Sequence, residues 1–303
     1  DVPLGLQLSG GIDSSLIAYY LRKHHKGKIN SYSIGFKDEQ DISFSEEYFA
    51  SHVANKLNLD HHQINISQKD VIDKFEDLIY LTDGMLDIPN TIPIYILSKY
   101  AKNRITVALT GEGADEAFGG YTKFNLPLKL LNKRNKTKVP FNKMTFDLMS
   151  MVPSKKLKNY ARQIFLNSYY AGNEGAILED INCYISPHTL QLITKENDHV
   201  LRLSENIDLQ KIRDIAAFRK MLIYDHKFYL VDLLDRQDRA SMGAGIESRL
   251  PFLDPEVVEL GLSLPSNQLL QDGSNKIVLK KLSEKIFGKD FTYRKKVGFP
   301  LPI

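Results

Sequence analysis

From Pro3 to Leu109, short apolar runs alternate with stretches in which apolar residues recur every three or four positions. The first kind reads as strand and the second as helix. Gly5 to Leu8 is a strand, closing the apolar run Pro3 to Leu8. Ser14 to His25 is a helix with Leu16, Tyr19, Tyr20 and Lys23 on a partly apolar face. Ile29 to Phe36 alternates as a strand. Ser43 and Glu46 have the spacing of a capping box, and the helix behind them carries Phe49, Val53 and Leu57 at four-residue spacing. His62 to Ile66 is a short strand, Val71, Phe75, Leu78 and Ile79 mark a helix, and Ile94 to Ala101 forms another. Ile105 to Leu109 is continuously apolar, as expected of a strand inside a parallel sheet. This alternation predicts an α/β fold with a doubly wound parallel sheet, and ligands at the carboxyl ends of its strands.

The pattern changes from Leu126 onward. Residues 129–143 are basic, with Pro140 inside the stretch, and residues 144–303 read mostly as helices with turns at Pro187, Pro251, Pro255 and Pro265. The expected division is an α/β core over 1–125 and a mainly helical part over 126–303. No internal repeat or low-complexity segment is visible.

Composition narrows the field. The 303 residues carry 40 basic and 37 acidic side chains, a net charge of +3. That field is too weak to imply nucleic acid by itself, and the basic stretch lacks interleaved aromatics, so it reads as a solvated linker or helix face. Cys183 is the single cysteine. An intrachain disulfide is therefore ruled out, and a reducing, cytoplasmic setting fits. No apolar run approaches the roughly 20 residues that span a bilayer, and no signal peptide is visible. The chain starts at Asp1 and not Met and stops after Pro302-Ile303, as an excised piece would.

The candidate chemistry sits where strands end. After the first strand comes Leu8-Ser9-Gly10-Gly11-Ile12-Asp13-Ser14-Ser15. Two glycines let the backbone approach an anion and adopt positive φ. Their N–H groups, with the next turn, make an anion nest at a helix N-terminus. Ser9, Ser14 and Ser15 add hydroxyls. A carboxylate beside phosphates is repulsive unless a cation intervenes, so Asp13 suggests Mg²⁺. The competing reading is a Ser/Gly turn capped by Asp or Ser. Neither the G-x-x-x-x-G-K-S/T nor the G-x-G-x-x-G spacing is present. The octet resembles the S-G-G-x-D-S loop of the PP-loop ATP pyrophosphatases, which cut ATP between the α and β phosphates.

A second glycine-rich loop, Thr110 to Tyr121, follows the strand Ile105 to Leu109. Glu112, Asp115 and Glu116 would repel one another there unless a metal or cationic group compensates. Two such loops can hold Mg²⁺ against one pyrophosphate. The alternative is an exposed acidic turn with Asp115 as a cap. Further on, Arg239 and Arg249 can grip carboxylates or phosphates, or serve as structural partners of Asp235, Asp238, Glu247 or Asp254. Lys276 opens an amphipathic helix, where a cation opposes the helix dipole unless it faces an anion. It is a candidate phosphate ligand or a solvated lysine. Arg294 to Pro300 is a further basic turn, read as surface.

These stretches occur in one order that resembles the C-terminal synthetase domain of glutamine-dependent asparagine synthetases. That family shows S-G-G-x-D-S, then S-G-E-G-S/A-D-E-x-F-G-G-Y, then D-R-x-S-M with E-x-R-x-P-F-L-D, then a G-x-x-K helix start. The likeness runs from Asp1 to Pro302, and Thr110 stands where the family commonly has Ser. The resemblance implies a PP-loop sheet followed by a mostly helical half that returns to the active site. It implies ATP and Mg²⁺ as cofactors, with Ser9, Gly10, Gly11, Asp13 and Ser14 around the pyrophosphate. Asp13 and Asp115 become metal ligands, and Leu8, Ile34, Thr110 and Gly111 contact adenosine. Glu112 and Lys276 become catalytic, while Glu116, Arg239, Glu247 and Arg249 stay open between substrate and structural roles.

The implied reaction is amide synthesis through an acyl-adenylate, most simply aspartate to asparagine, with release of AMP and pyrophosphate. Its partners are then a small carboxylate and ammonia. The ammonia would come from an N-terminal glutaminase domain that this chain lacks. Neither nucleic acid nor membrane is called for, and a homodimer stays open. A sugar acid, a β-lactam closure, an RNA-modifying relative and a nucleotide-binding module without turnover remain as alternatives.

Overall fold

Five strands pair in parallel in the order Asp60–Ile66, Asn30–Phe36, Leu4–Gln7, Val107–Leu109, Glu247–Arg249. The computed structural model of the chain describes residues 2–37, 47–84, 90–124, 216–271 and 273–294. Ser43 and Glu46, the basic stretch 129–143, Cys183, Pro187 and residues 295–300 lie outside the described residues.

The first strands and helices follow the alternation: β1 (Leu4–Gln7), α1 (Ile12–His24), β2 (Asn30–Phe36), α2 (Glu47–Lys56) and β3 (Asp60–Ile66). The helix expected around Val71 to Ile79 is instead two, α3 (Gln68–Ile72) and α4 (Phe75–Leu81). Ser67 caps α3 in a reciprocal box with Asp70, which fixes its start at Gln68, and the break falls at Asp73-Lys74. Next come α5 (Thr91–Ala101), β4 (Val107–Leu109) and α6 (Ala114–Phe118). β4 is two residues shorter than the apolar run, because the Ile105 N–H still closes the end of α5 on Ala101.

The chain divides into two compact units. Tyr121–Asp225 is one. Its described parts are the 3-10 turn Thr122–Phe124 and α7 (Ala217–Tyr224). Buried Phe124 and Phe218 meet edge to face at 5.6 Å, and Lys123 pairs with fully buried Asp225 at 2.9 Å.

The other unit joins Asp1–Gly120 to His226–Ile303 and contains the sheet. Its later elements are α8 (Leu230–Met242), β5 (Glu247–Arg249), α9 (Pro255–Ser263), α10 (Ser266–Leu269), β6 (Leu270–Gln271), β7 (Ser274–Asn275), α11 (Ile277–Phe287) and α12 (Lys289–Tyr293). The fifth strand thus comes from the part of the chain that reads as helical.

Both faces of the sheet are covered. Leu6, Leu8 and Ile29 pack with Ala50 and Val53 of α2 and Phe287 of α11. On the other face Tyr32, Ile34 and Phe36 pack with Leu97 of α5 and with Ile105 and Ile246. Gly5 has no side chain because a Cβ there would lie 2.9 Å from the Asn30 carbonyl and from Ile105. Successive connections run from β1 outward to β2 and β3, and β4 then returns to the other side of β1. The order reverses between β1 and β4, so a crevice opens at their carboxyl ends.

Candidate active site

The two glycine loops leave β1 and β4, the two strands that flank this reversal. Gly10 takes φ +80°, and a Cβ on it would lie 2.6 Å from the Ala50 amide nitrogen, so only glycine fits. Gly11 caps α1 without any side-chain hydrogen bond. The first-turn N–H groups therefore receive no side-chain cap from Gly11 and face the crevice with the helix dipole behind them. Ser9 Oγ lies 3.0 Å from Ser14 Oγ and accepts the Gly11 N–H at 3.2 Å. The Ser14 hydroxyl donates to the Gly11 carbonyl at 3.3 Å.

The second loop lies against the first. A Cβ on Gly111 would sit 2.6 Å from the Ser14 amide nitrogen and 3.0 Å from the Asp13 carbonyl carbon. Buried Thr110 accepts the Glu112 N–H on Oγ1 at 3.1 Å, and its own N–H donates to the Arg249 carbonyl of β5. Asp115 and Glu116 follow in the first turn of α6, with Glu116 buried.

Lys276 joins the loops. Its Nζ is 2.7 Å from Asp13 Oδ2 and 2.5 Å from Asp115 Oδ1. The β6–β7 hairpin delivers it, because Asn275 donates to the Gly120 carbonyl of the second loop at 3.0 Å. Lys276 itself has φ +53°, a left-handed backbone that costs a non-glycine residue about 1–3 kcal/mol and concentrates at functional sites. Burial alone would lower its pKa. The carboxylates outweigh this, Asp115 ahead of Asp13, and hold it well above the usual lysine range. Lys280, one turn on, donates to Ser274 Oγ at 2.8 Å, and burial and then Lys276 push its pKa down.

Among the described residues no three His, Cys, Asp or Glu side chains cluster to hold a metal. Magnesium usually takes one or two protein carboxylates and completes its shell from phosphates and water. Asp13 and Asp115 supply that many, and Asp13 Oδ1 is buried with no hydrogen-bond partner among the described residues. The donor set fits magnesium.

The asparagine synthase family model matches residues 1–303. The chain belongs to the asparagine synthase family. Asparagine synthetase (glutamine-hydrolyzing) 1 of Bacillus subtilis is 30% identical over 311 residues, covering 100% of this chain and 47% of its own length. Asparagine synthetase (glutamine-hydrolyzing) 3 of the same organism is 28% identical over 315 residues, covering 99% and 45%. A putative asparagine synthetase (glutamine-hydrolyzing) of Mycobacterium tuberculosis is 29% identical over 313 residues, covering 100% and 45%. The chain spans about half the length of these curated relatives.

Other expected residues fall into place unevenly. Leu8 and Ile34 point to opposite faces of the sheet, each into its own core cluster. The Leu8 N–H donates to the Tyr32 carbonyl at 2.7 Å. Arg239 pairs with Asp235 at 2.8 Å and Asp83 at 2.6 Å, and Arg249 pairs with Glu247 at 2.8 Å. Both arginines thus pair with carboxylates of the chain itself.

The arginine that reaches the second loop is Arg236 of α8, which carries no motif of its own. It is buried, pairs with Glu112 Oε1 and donates to Asn90 Oδ1 at 2.8 Å. Its position three residues before Arg239 on one helix was the available signal. Glu112 Oε2 is buried with no hydrogen-bond partner among the described residues. Arg294 is not a surface residue either: it is part-buried and donates to the Gly10 carbonyl at 2.6 Å.

Proposed function

We propose that the chain forms an amide from a carboxylate and ammonia at the expense of ATP, with the β-carboxylate of aspartate as the simplest acceptor. The observation that carries this is the convergence of Asp13, Asp115 and Lys276 between two glycine loops at the reversal of the sheet. Backbone N–H groups of the first loop and the hydroxyls of Ser9 and Ser14 hold the β and γ phosphates. Lys276 offsets their charge. Asp13 and Asp115 would hold magnesium, which when bound neutralises the leaving pyrophosphate.

A carboxylate oxygen then attacks the α-phosphorus, and the bond to the bridging oxygen of the β phosphate breaks. Ammonia attacks the acyl carbon of the adenylate, and AMP leaves with the former carboxylate oxygen. Arg236 occupies one oxygen of Glu112 and orients the other, Oε2, which accepts the proton that the attacking nitrogen gives up. The protein contributes position and charge, without a covalent nucleophile.

Nitrogen enters as ammonia. Glutamine yields its amide nitrogen only to a hydrolytic nucleophile, and Cys183 has no motif around it. The relatives are named glutamine-hydrolyzing, and we assign glutamine hydrolysis to a separate N-terminal domain. The test is a screen of carboxylic acids with this chain, scored by AMP release, with ammonia or glutamine as donor. Ammonia-dependent AMP with aspartate is expected. ADP as product, or glutamine-dependent amide free of contaminating glutaminase, overturns the reading.

A further inference from the structure

We propose that Arg294 is a positioning residue for the phosphate loop: its guanidinium clamps the Gly10–Gly11 peptide so that the Gly11 N–H holds Ser9 Oγ in the phosphate cradle. The inference rests on the assignment of that loop to ATP.

The peptide between Gly10 and Gly11 has glycine on both sides, so no side chain resists its rotation. It is also planar and trans, so fixing its carbonyl fixes its N–H on the opposite edge. Arg294 Nη2 donates to that carbonyl at 2.6 Å, and the N–H on the other edge reaches Ser9 Oγ in the cradle. A cation on the carbonyl also polarises the amide and strengthens its N–H as a donor.

The clamp is itself held. The Arg294 Cζ lies 3.9 Å from the centre of the Phe49 ring and 4.5 Å from that of Phe291. Nη1 donates to the Phe291 carbonyl at 2.7 Å. The two rings meet edge to face at 6.1 Å. Phe49 also borders Gly10, because its carbonyl carbon lies 2.9 Å from where a Gly10 Cβ would be. Loop, α2 and the segment after α12 thus close on one planar group. A lysine ammonium is a point charge without a planar face to lie against the two rings, so it cannot replace this.

The experiment uses the full-length protein with Arg294→Ala and Arg294→Lys. It measures the Kd for ATP with Mg²⁺ by calorimetry, KM for ATP and for the carboxylate, and Tm. Loss of a charge-assisted hydrogen bond should raise the Kd and KM for ATP about tenfold in the alanine variant. The carboxylate KM should stay near wild type, and methylguanidinium should restore ATP affinity. If alanine prevents folding, the lysine variant should still show a raised KM for ATP against an unchanged carboxylate KM. Unchanged ATP affinity, or a parallel rise in both KM values without rescue, overturns the clamp. Wild-type protein that binds no ATP overturns the assignment of the loop, and the clamp with it.

Discussion

Lys276 does at one position what the two acidic loops require of a cation. From the sequence, Asp13 and Asp115 are carboxylates that repel until a metal arrives, so removing either should leave stability unchanged. In the structure each is a partner of a buried ammonium, and losing one leaves that charge less compensated. Asp13→Asn and Asp115→Asn are therefore expected to lower Tm as well as activity. The loss in kcat/KM should be on the order of 10², or about 3 kcal/mol, typical of a preorganised electrostatic group. Steady-state rates and thermal melts of both variants check this, and a normal rate in either removes that residue from the site. The lysine remains charged throughout neutral pH. Its folded pKa is raised, so its contribution to stability is fully present below about 10.4 and is lost only as pH rises through the higher folded value.

At the level of elements, β2 and β3 carry a titratable link. His61 of β3 contacts Ser31 Oγ through Nδ1 at 3.0 Å and Ser33 Oγ through Nε2 at 3.1 Å. Burial, and then neighbouring His62, hold its pKa below the ordinary histidine value. The unfolded chain therefore binds the proton first, at about pH 6.5. Between that pH and the lower folded value, stability falls as pH falls. Melting curves from about pH 7 to about pH 5 should drop more steeply for wild type than for His61→Gln, and equal slopes would contradict the assignment. β1 and β4 were readable because apolar runs lead into glycine-rich loops. β5 was not: Glu-Ser-Arg has no apolar alternation, and it exists because buried Ile246 and the free edge of β4 recruit it. A break at Asp73-Lys74 likewise divides a helix that periodicity alone joins.

For the whole molecule, the cradle was legible because its chemistry is local. Ser9 to Ser14 and Thr110 to Asp115 are continuous segments whose residue types announce phosphate and cation. What brings distant residues to them was not legible. Arg236 meets Glu112 across 124 residues of sequence, and Arg294 meets Gly10 across 284. Helices α8, α11 and α12, packed around the sheet, create both encounters, and no spacing rule encodes them. Among the described residues no helix is long and apolar enough to cross a membrane. We propose that this sheet holds ATP for attack at the α-phosphorus by a carboxylate. Aspartate labelled with ¹⁸O in its carboxylates, incubated with the protein, ATP, Mg²⁺ and ammonia, follows the oxygen. Attack at the α-phosphorus transfers one labelled oxygen to AMP for each asparagine formed. Unlabelled AMP, or label appearing in orthophosphate beside ADP, would contradict it.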